Sequence, residues 1–394
     1  MFTKESIKSQ EDVKDKTEVM LDGEDDLAAA LSNSESDYPM YNIKVERGFY
    51  TVYELKRKYD RDEKRIILDS DFQRESVWKP IQKAELVESI LMGLPLPIFY
   101  FNQDKMGRLI VVDGRQRLTA LFEFMSNKWA LKGLKVLKEL NGKKFQDLEP
   151  VIQAQLEDYQ LQAHVIQPPT ADRIKFDIFD RVNRAGTQLN KQEIRNALYQ
   201  GKATMLLNKI VTTQEFSWAT GGAFKKNARM KDKYLVLRFL AFELYFEGKL
   251  KSDGESYAYK NDIDELLGIT MEYINSIAED EVEVLYKKTI CALYNTHYFL
   301  GENAFRMIRG NGSKSPINMN LFEVLMHLMA KFSQDDIQYQ NTIISQIHEM
   351  KLNSEFLDAI GNHRDSWGKV QKRYQLVDNI WEDINDRKHK NQCV

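Results

Sequence analysis

Cysteine is scarce in this chain: 394 residues hold two, Cys291 and Cys393, roughly a hundred residues apart. That count excludes a disulfide framework and a four-cysteine zinc site, and it fits a reducing cytoplasm. No uninterrupted apolar run approaches the ~20 residues that cross a bilayer. The opening Met1-Phe2-Thr3-Lys4-Glu5 has no apolar h-region, so no signal peptide is expected. A cytoplasmic protein without membrane contact follows as the expectation. The six histidines, at positions 164, 297, 327, 348, 363 and 389, show no zinc spacing and no His-Glu-x-x-His pattern. His327 lies in an apolar stretch and reads as a core residue rather than a ligand. Gly201-Lys202 lacks the preceding glycine of a phosphate-binding P-loop, and no Gly-x-Ser-x-Gly elbow occurs. Neither cysteine has an activating residue near it in sequence.

What is present is an ordinary globular composition, 43% hydrophobic and 29% charged, long enough for two or three domains. Charge is uneven. Residues 1–37 carry four Lys against eleven Asp and Glu, a net −7, so the remainder carries +4 against −3 for the whole chain. The first 37 residues read as a disordered acidic tail, with DNA mimicry or partner docking as the alternative. A mildly basic body suits phosphate ligands without the strong basic signature of a DNA-coating protein.

From Tyr41 onward short apolar runs alternate with turns. Residues 51–61 read as a helix, Ile66-Ile67-Leu68 as a strand, and Pro80 as the first turn of a helix that stops at Gly93. Ile98–Phe101 and Leu109–Val112 read as a hairpin turned at Gly107. A helix follows Gly114 to about Asn127, and another runs from Ala171 to about Val182. Asn190 and Glu193 have the spacing of a capping box. After about residue 205 the pattern is nearly all helical, with helices expected at 234–246, 263–277, 281–299, 319–332, 335–350 and 367–384. The expected class is α+β: a mixed domain over 38–204 and an all-helical domain over 205–394.

The most informative stretch is Val111-Val112-Asp113-Gly114-Arg115-Gln116-Arg117-Leu118. A buried strand, a glycine turn and a helix start converge there. Free backbone N–H groups, the positive end of the helix dipole and guanidinium forks make that junction an anion site. Cations in a first helical turn oppose the macrodipole by about 0.3–1 kcal/mol each, a conflict that an anionic ligand relieves. The alternative is a plain strand–turn–helix with solvated arginines. The anion expected there is a phosphate, from a nucleotide or a nucleic-acid backbone. Asp113 is placed to bind Mg²⁺ or polarise a water. Two further clusters stand out. In Phe72-Gln73-Arg74-Glu75-Ser76-Val77-Trp78 an arginine sits between aromatics, able to stack on a base or hold a phosphate, unless the aromatics are core. Asn183-Arg184-Ala185-Gly186-Thr187 is a turn that either ends a helix or binds ligand.

Three blocks then line up with a known family. Phe72-Gln73-Arg74-x-x-Val77-Trp78, Leu86–Pro97 and Val112–Thr119 resemble the bacterial DGQQR family, domain of unknown function 262. Phe179–Leu189 and Glu193–Ala197 resemble its later motif, so the likeness covers roughly residues 40–200. Arg115 stands where the family has glutamine. The resemblance implies a ParB/sulfiredoxin-like α+β fold with a nucleotide on the signature turn, in a component of anti-phage or modification-dependent restriction systems. It implies an NTPase in which Asp113, Gln116 and Arg117 are catalytic. Gly114, Arg115, Arg117, Gln73, Arg74, Asn183, Arg184, Gly186 and Thr187 would bind a nucleoside triphosphate with Mg²⁺, held at Asp113. DNA and a separately encoded nuclease are the implied partners, and a homo-oligomer is compatible with it. The fused His-centred nuclease motif of relatives is not found; His363 and His389 lack its setting. A non-catalytic module that binds DNA or a partner, and a ParB-like nicking nuclease, are the alternatives.

Overall fold

The computed structural model describes residues 21–22, 43–68, 78–104, 106–170, 174–175, 178–179, 181, 190–224, 229–252, 254–307 and 315–392. It divides into two compact units, Asp37–Leu198 and a second made of Tyr199–Val394 joined by β1 (Leu21–Asp22).

The first unit contains β2 (Val45–Thr51), α1 (Val52–Tyr59), β3 (Ile66–Ile67), α2 (Pro80–Leu91), β4 (Phe99–Gln103), β5 (Leu109–Asp113), α3 (Arg115–Met125), α4 (Pro150–Asp158), β6 (Gln160–Ile166) and α5 (Lys191–Leu198). Its five-stranded sheet has the order β2–β6–β4–β5–β3. β2 pairs antiparallel with β6 and β4 antiparallel with β5, while β4–β6 and β5–β3 are parallel.

Local chemistry accounts for these elements. Thr51 caps α1, its hydroxyl accepting the Glu54 N–H at 3.0 Å. Pro80 opens α2, where its missing N–H costs nothing. Gly93 follows the end of α2 with φ of 69°, a left-handed residue past the helix, as the sequence pattern predicts. The Asn190–Glu193 capping box is present: each backbone N–H meets the other's side chain, at 2.7 and 2.8 Å. Phe99, Phe101, Leu109 and Val111 of the hairpin join Val87 and Ile90 of α2 and Leu118, Leu121 and Phe124 of α3 in one buried core. Each such side chain contributes about 1.5–3 kcal/mol by leaving water. Glu88 of α2 is buried, yet it accepts the Val136 and Leu137 N–H groups at 2.8 and 2.9 Å. Burial works to raise its pKa, but those N–H groups and Lys135 outweigh it and hold the carboxyl below its ordinary value.

The second unit is built of α6 (Lys202–Val211), α7 (Gln214–Ala219), α8 (Lys231–Phe246), β7 (Lys251–Ser252), β8 (Glu255–Ser256), α9 (Ile263–Ser276), α10 (Glu279–Leu300), β9 (Ile317–Asn318), α11 (Met319–Met329), α12 (Gln340–Leu352), α13 (Ser354–Ala359) and α14 (Trp367–Gln392). The overall class is thus α+β, with the mixed sheet in the N-terminal region and helices in the C-terminal half. The helical half departs from an all-helical reading in two small ladders, β7 with β8 and β1 with β9. Leu21, inside the stretch read as an acidic tail, is apolar and buries itself opposite Ile317. The helix expected over 335–350 begins as a 3-10 turn, Gln334–Tyr339, before α12.

The core of this unit holds charge. α11 is buried on nearly every side, and its Glu323 carboxylate bridges two buried arginines, Arg238 of α8 and Arg373 of α14, at 2.7 Å each. Arg238 also reaches Asp365 at 2.8 Å and Asn320 at 3.1 Å. Against the desolvation that burial imposes, these carboxylates raise the pKa of Arg238 well above normal, and Asp365 is held low. His327, expected as a core residue rather than a ligand, is largely buried and bridges two carboxylates. Its Nδ1 meets Glu243 and its Nε2 meets Asp378 at 3.1 Å. Lys288 and Lys331 flank the pair, on Glu243 and Asp378 respectively.

Two outcomes follow. Glu323→Gln leaves two buried guanidinium groups short of their counter-charge and is expected to cost about 3–5 kcal/mol, read by urea denaturation. Burial alone would lower the His327 pKa, but Asp378 and Glu243 raise it above its ordinary 6.5. A raised folded value stabilises below the unfolded pKa and fades as pH rises through the folded one. The stability gap between the natural protein and His327→Gln should therefore be widest at mildly acidic pH and narrow on the alkaline side. A gap independent of pH would contradict the charged bridge.

Candidate anion-binding site

The sheet delivers one strand end to a helix start. β5 ends at Asp113, Gly114 turns the chain, and α3 begins at Arg115. Gly114 adopts φ of 96°, and a Cβ there would overlap the ring of Phe99. Both backbone conformation and space demand glycine. The β4–β5 register shifts between Tyr100 and Phe101: Phe101 faces Val111, but Tyr100 faces Asp113. This bulge sets Asp113 opposite Tyr100 instead of Phe99, and Phe99 is left to lie under Gly114 and Arg117.

Gly114 offers no side-chain cap to α3, so the first-turn N–H groups of Arg115, Gln116 and Arg117 have no capping oxygen from it. The dipole adds positive potential at the same place. Arg115 is half-buried at the first helical position. Gln116 is half-buried too, and its Oε1 is a buried acceptor with no hydrogen-bond partner.

Arg117 is placed differently from a ligand-facing side chain. It is largely buried, and its guanidinium stacks 4.2 Å from the centre of the Phe99 ring. It donates to Asp113 Oδ2 at 2.9 Å, to the Ile98 carbonyl at 3.3 Å and to the Pro97 carbonyl. Burial lowers its pKa while the Asp113 carboxylate pulls it back up, with a net fall. Arg117 therefore ties the strand end to the Pro97–Ile98 loop, which sequence spacing alone did not reveal. The signal was there in part: Asp113 and Arg117 stand four residues apart across a helix start.

The second motif helix, α5, packs against β5. Gln192, Glu193, Arg195 and Asn196 are all buried in it, and Arg195 donates to Gln192 Oε1 at 2.7 Å. These polar side chains, absent from the expected site, are close-packed behind the strand that carries Asp113. Gln73, Arg74, Asn183, Arg184, Gly186 and Thr187 lie outside the described residues. Trp78, from the first block, is half-buried and packs on the core.

Among the described residues no group of three His, Cys, Asp or Glu side chains gathers as metal ligands. Asp113 keeps one carboxylate oxygen on Arg117. This donor set does not form a metal centre of its own. It fits an ion that arrives on phosphates and adds one carboxylate from the protein, the usual arrangement for Mg²⁺. No helix among the described residues is long and apolar enough to cross a membrane.

Gly114→Ala is expected to impose a left-handed conformation on a β-carbon and to displace Phe99. Stability should fall by more than about 1 kcal/mol, read as a lowered melting temperature. A neutral effect would mean that the turn adopts another geometry.

Residues 53–200 match the family model described as GmrSD restriction endonuclease, N-terminal domain. That span runs from α1 through α5 and contains the turn, and it supports the likeness carried by the motif blocks. Neither the curated proteins nor the solved structures contain a match to the chain.

Proposed function

We propose that this likeness marks a component of a DNA restriction or defence system, in which the first unit binds and hydrolyses a nucleoside triphosphate. The observation that carries the reading is the uncapped start of α3 beside Asp113. The first-turn N–H groups, the helix dipole, Arg115 and Gln116, whose Oε1 has no hydrogen-bond partner, all belong to the first turn of α3. A phosphate chain would accept from the first-turn N–H groups. Water or a ligand hydroxyl satisfies the acceptor.

Phosphoryl transfer asks a protein for position and charge more than for covalent chemistry. Arg115 and the first-turn N–H groups would take the phosphate oxygens. Gln116 Oε1, as an acceptor, would orient the attacking water. Arg117 is a positioning residue: it holds Asp113 against the Pro97–Ile98 loop, so that the carboxylate faces the turn in one orientation. Mg²⁺, when bound with the nucleotide, supplies charge neutralisation on the phosphates. Gln73, Arg74, Asn183, Arg184, Gly186 and Thr187 would complete the pocket. DNA is the polymer on which such a system acts, and a separately encoded nuclease would supply cleavage.

Phosphate release from each of the four nucleoside triphosphates with Mg²⁺ tests this. The natural protein should turn over at least one of them. Gln116→Ala should lower kcat roughly 10²-fold with little change in KM, as for loss of an orienting group. Arg115→Ala should chiefly raise KM. Equal turnover in the natural protein and Gln116→Ala would sink the assignment, and turnover in none would leave a binding module.

A further inference from the structure

At the opposite end of β5 from the signature turn lies a cavity of about 260 Å³. Its lining is Tyr50, Arg57, Lys58, Arg61, Arg65, Gln103, Gly107 and Leu109, which includes four cations and no carboxylate. Four pieces of chain meet there: the end of β2, the last turn of α1, the segment that follows it, and the β4–β5 hairpin. Arg65 is fixed between them, its N–H bonded to the Lys58 carbonyl at 3.0 Å and its carbonyl accepting from Leu109 at 2.9 Å.

Basic residues in a last helical turn offset the macrodipole, and that explains Arg57 and Lys58 in part. It does not explain Arg61 and Arg65, which lie beyond the helix. Asp60 is paired with Lys56 and Glu54 with Lys58 at 2.7 Å, and Asp62 and Glu63, exposed in the same segment, do not line the hollow. Among the described residues Arg57, Arg61 and Arg65 have no carboxylate partner, and all three are exposed. Lys58 is braced over the Tyr50 ring, 4.9 Å from its centre. Three guanidinium groups without a carboxylate partner stand around one small hollow and repel one another, and an anion removes that repulsion. The volume suits a phosphate group rather than a whole nucleotide, since sites for small ligands usually exceed about 300 Å³. Five strand residues separate this hollow from the Asp113 turn by about 13 Å, so one bound phosphate chain need not serve both.

We infer that this hollow is a second anion site, which takes the backbone phosphates of duplex DNA. Gln103 and Tyr50 offer hydrogen bonds to the sugar–phosphate, while the arginines neutralise charge without reading sequence. Only the identity of the polyanion rests on the proposed function; the site itself rests on the geometry of α1 and the hairpin.

The test is titration of a mixed-sequence duplex oligonucleotide at several salt concentrations, with the full chain and with Arg57→Ala/Arg61→Ala. Both positions are exposed, so unchanged melting curves are expected. The double variant should weaken binding roughly tenfold or more at low salt. The slope of log affinity against log salt should become shallower by about 2, close to one per lost phosphate contact. Nucleotide turnover should be unchanged. Equal affinity and slope in both proteins, or no duplex binding by the natural protein, overturns the inference. Loss of nucleotide binding in the variant overturns it as well, by assigning the hollow to the nucleotide. Failure of turnover in the natural protein, with duplex binding still sensitive to the two arginines, strikes the proposed function alone.

Discussion

Arg117 reaches back four residues to Asp113 and twenty to Pro97, and the order of the turn depends on that grip. A guanidinium removed from water loses solvation worth several kcal/mol. Its donors recover that loss only where acceptors stand in a fixed fork geometry, and here a strand-end carboxylate and two loop carbonyls supply them. The Phe99 ring beneath completes the enclosure and also dictates glycine at 114. The bulge in β4–β5 makes the arrangement available, because an unshifted register would set Asp113 opposite Phe99 itself. Strand, bulge, glycine and arginine are thus one device, and none of its parts can change alone.

The same device settles how the site divides its labour. Two arginines in sequence suggest two phosphate clamps. Burial separates them: Arg117 faces the protein, while Arg115 stands at the first position of α3. A buried, carboxylate-paired arginine serves geometry. The start of α3, half-buried and without a capping oxygen from Gly114, is the part that the proposed function gives to an anion. Charge on the first unit is accordingly organised around the two ends of one strand, with the signature turn at one end and the unpaired arginines of the cavity at the other.

The second unit uses charge in a different way. Glu323 between Arg238 and Arg373 ties α11 to α8 and α14 through buried charge. His327 between Glu243 and Asp378 adds a further polar junction. Both carry a desolvation cost that only full pairing offsets, which is why a single missing partner would be felt across several helices.

Much of this was legible residue by residue. Pro80, Gly93, Gly114 and the Asn190–Glu193 box act through the backbone within a few residues, so their spacing determined where helices begin and end. The apolar runs Ile98–Phe101 and Leu109–Val112 likewise marked the two strands of the hairpin. The strand–glycine–helix junction that forms the candidate site belongs to this class. The bulge before Asp113, the inward turn of Arg117, the buried polar face of α5 and the pairing of Glu323 and His327 do not. The partners of Glu323 lie far along the chain, 50 residues away for Arg373 and 85 for Arg238. Local propensity carries no record of such distances. A charged side chain looks the same in sequence whether it meets water or a buried counter-ion, and only the packed tertiary structure, by removing the water, decides which.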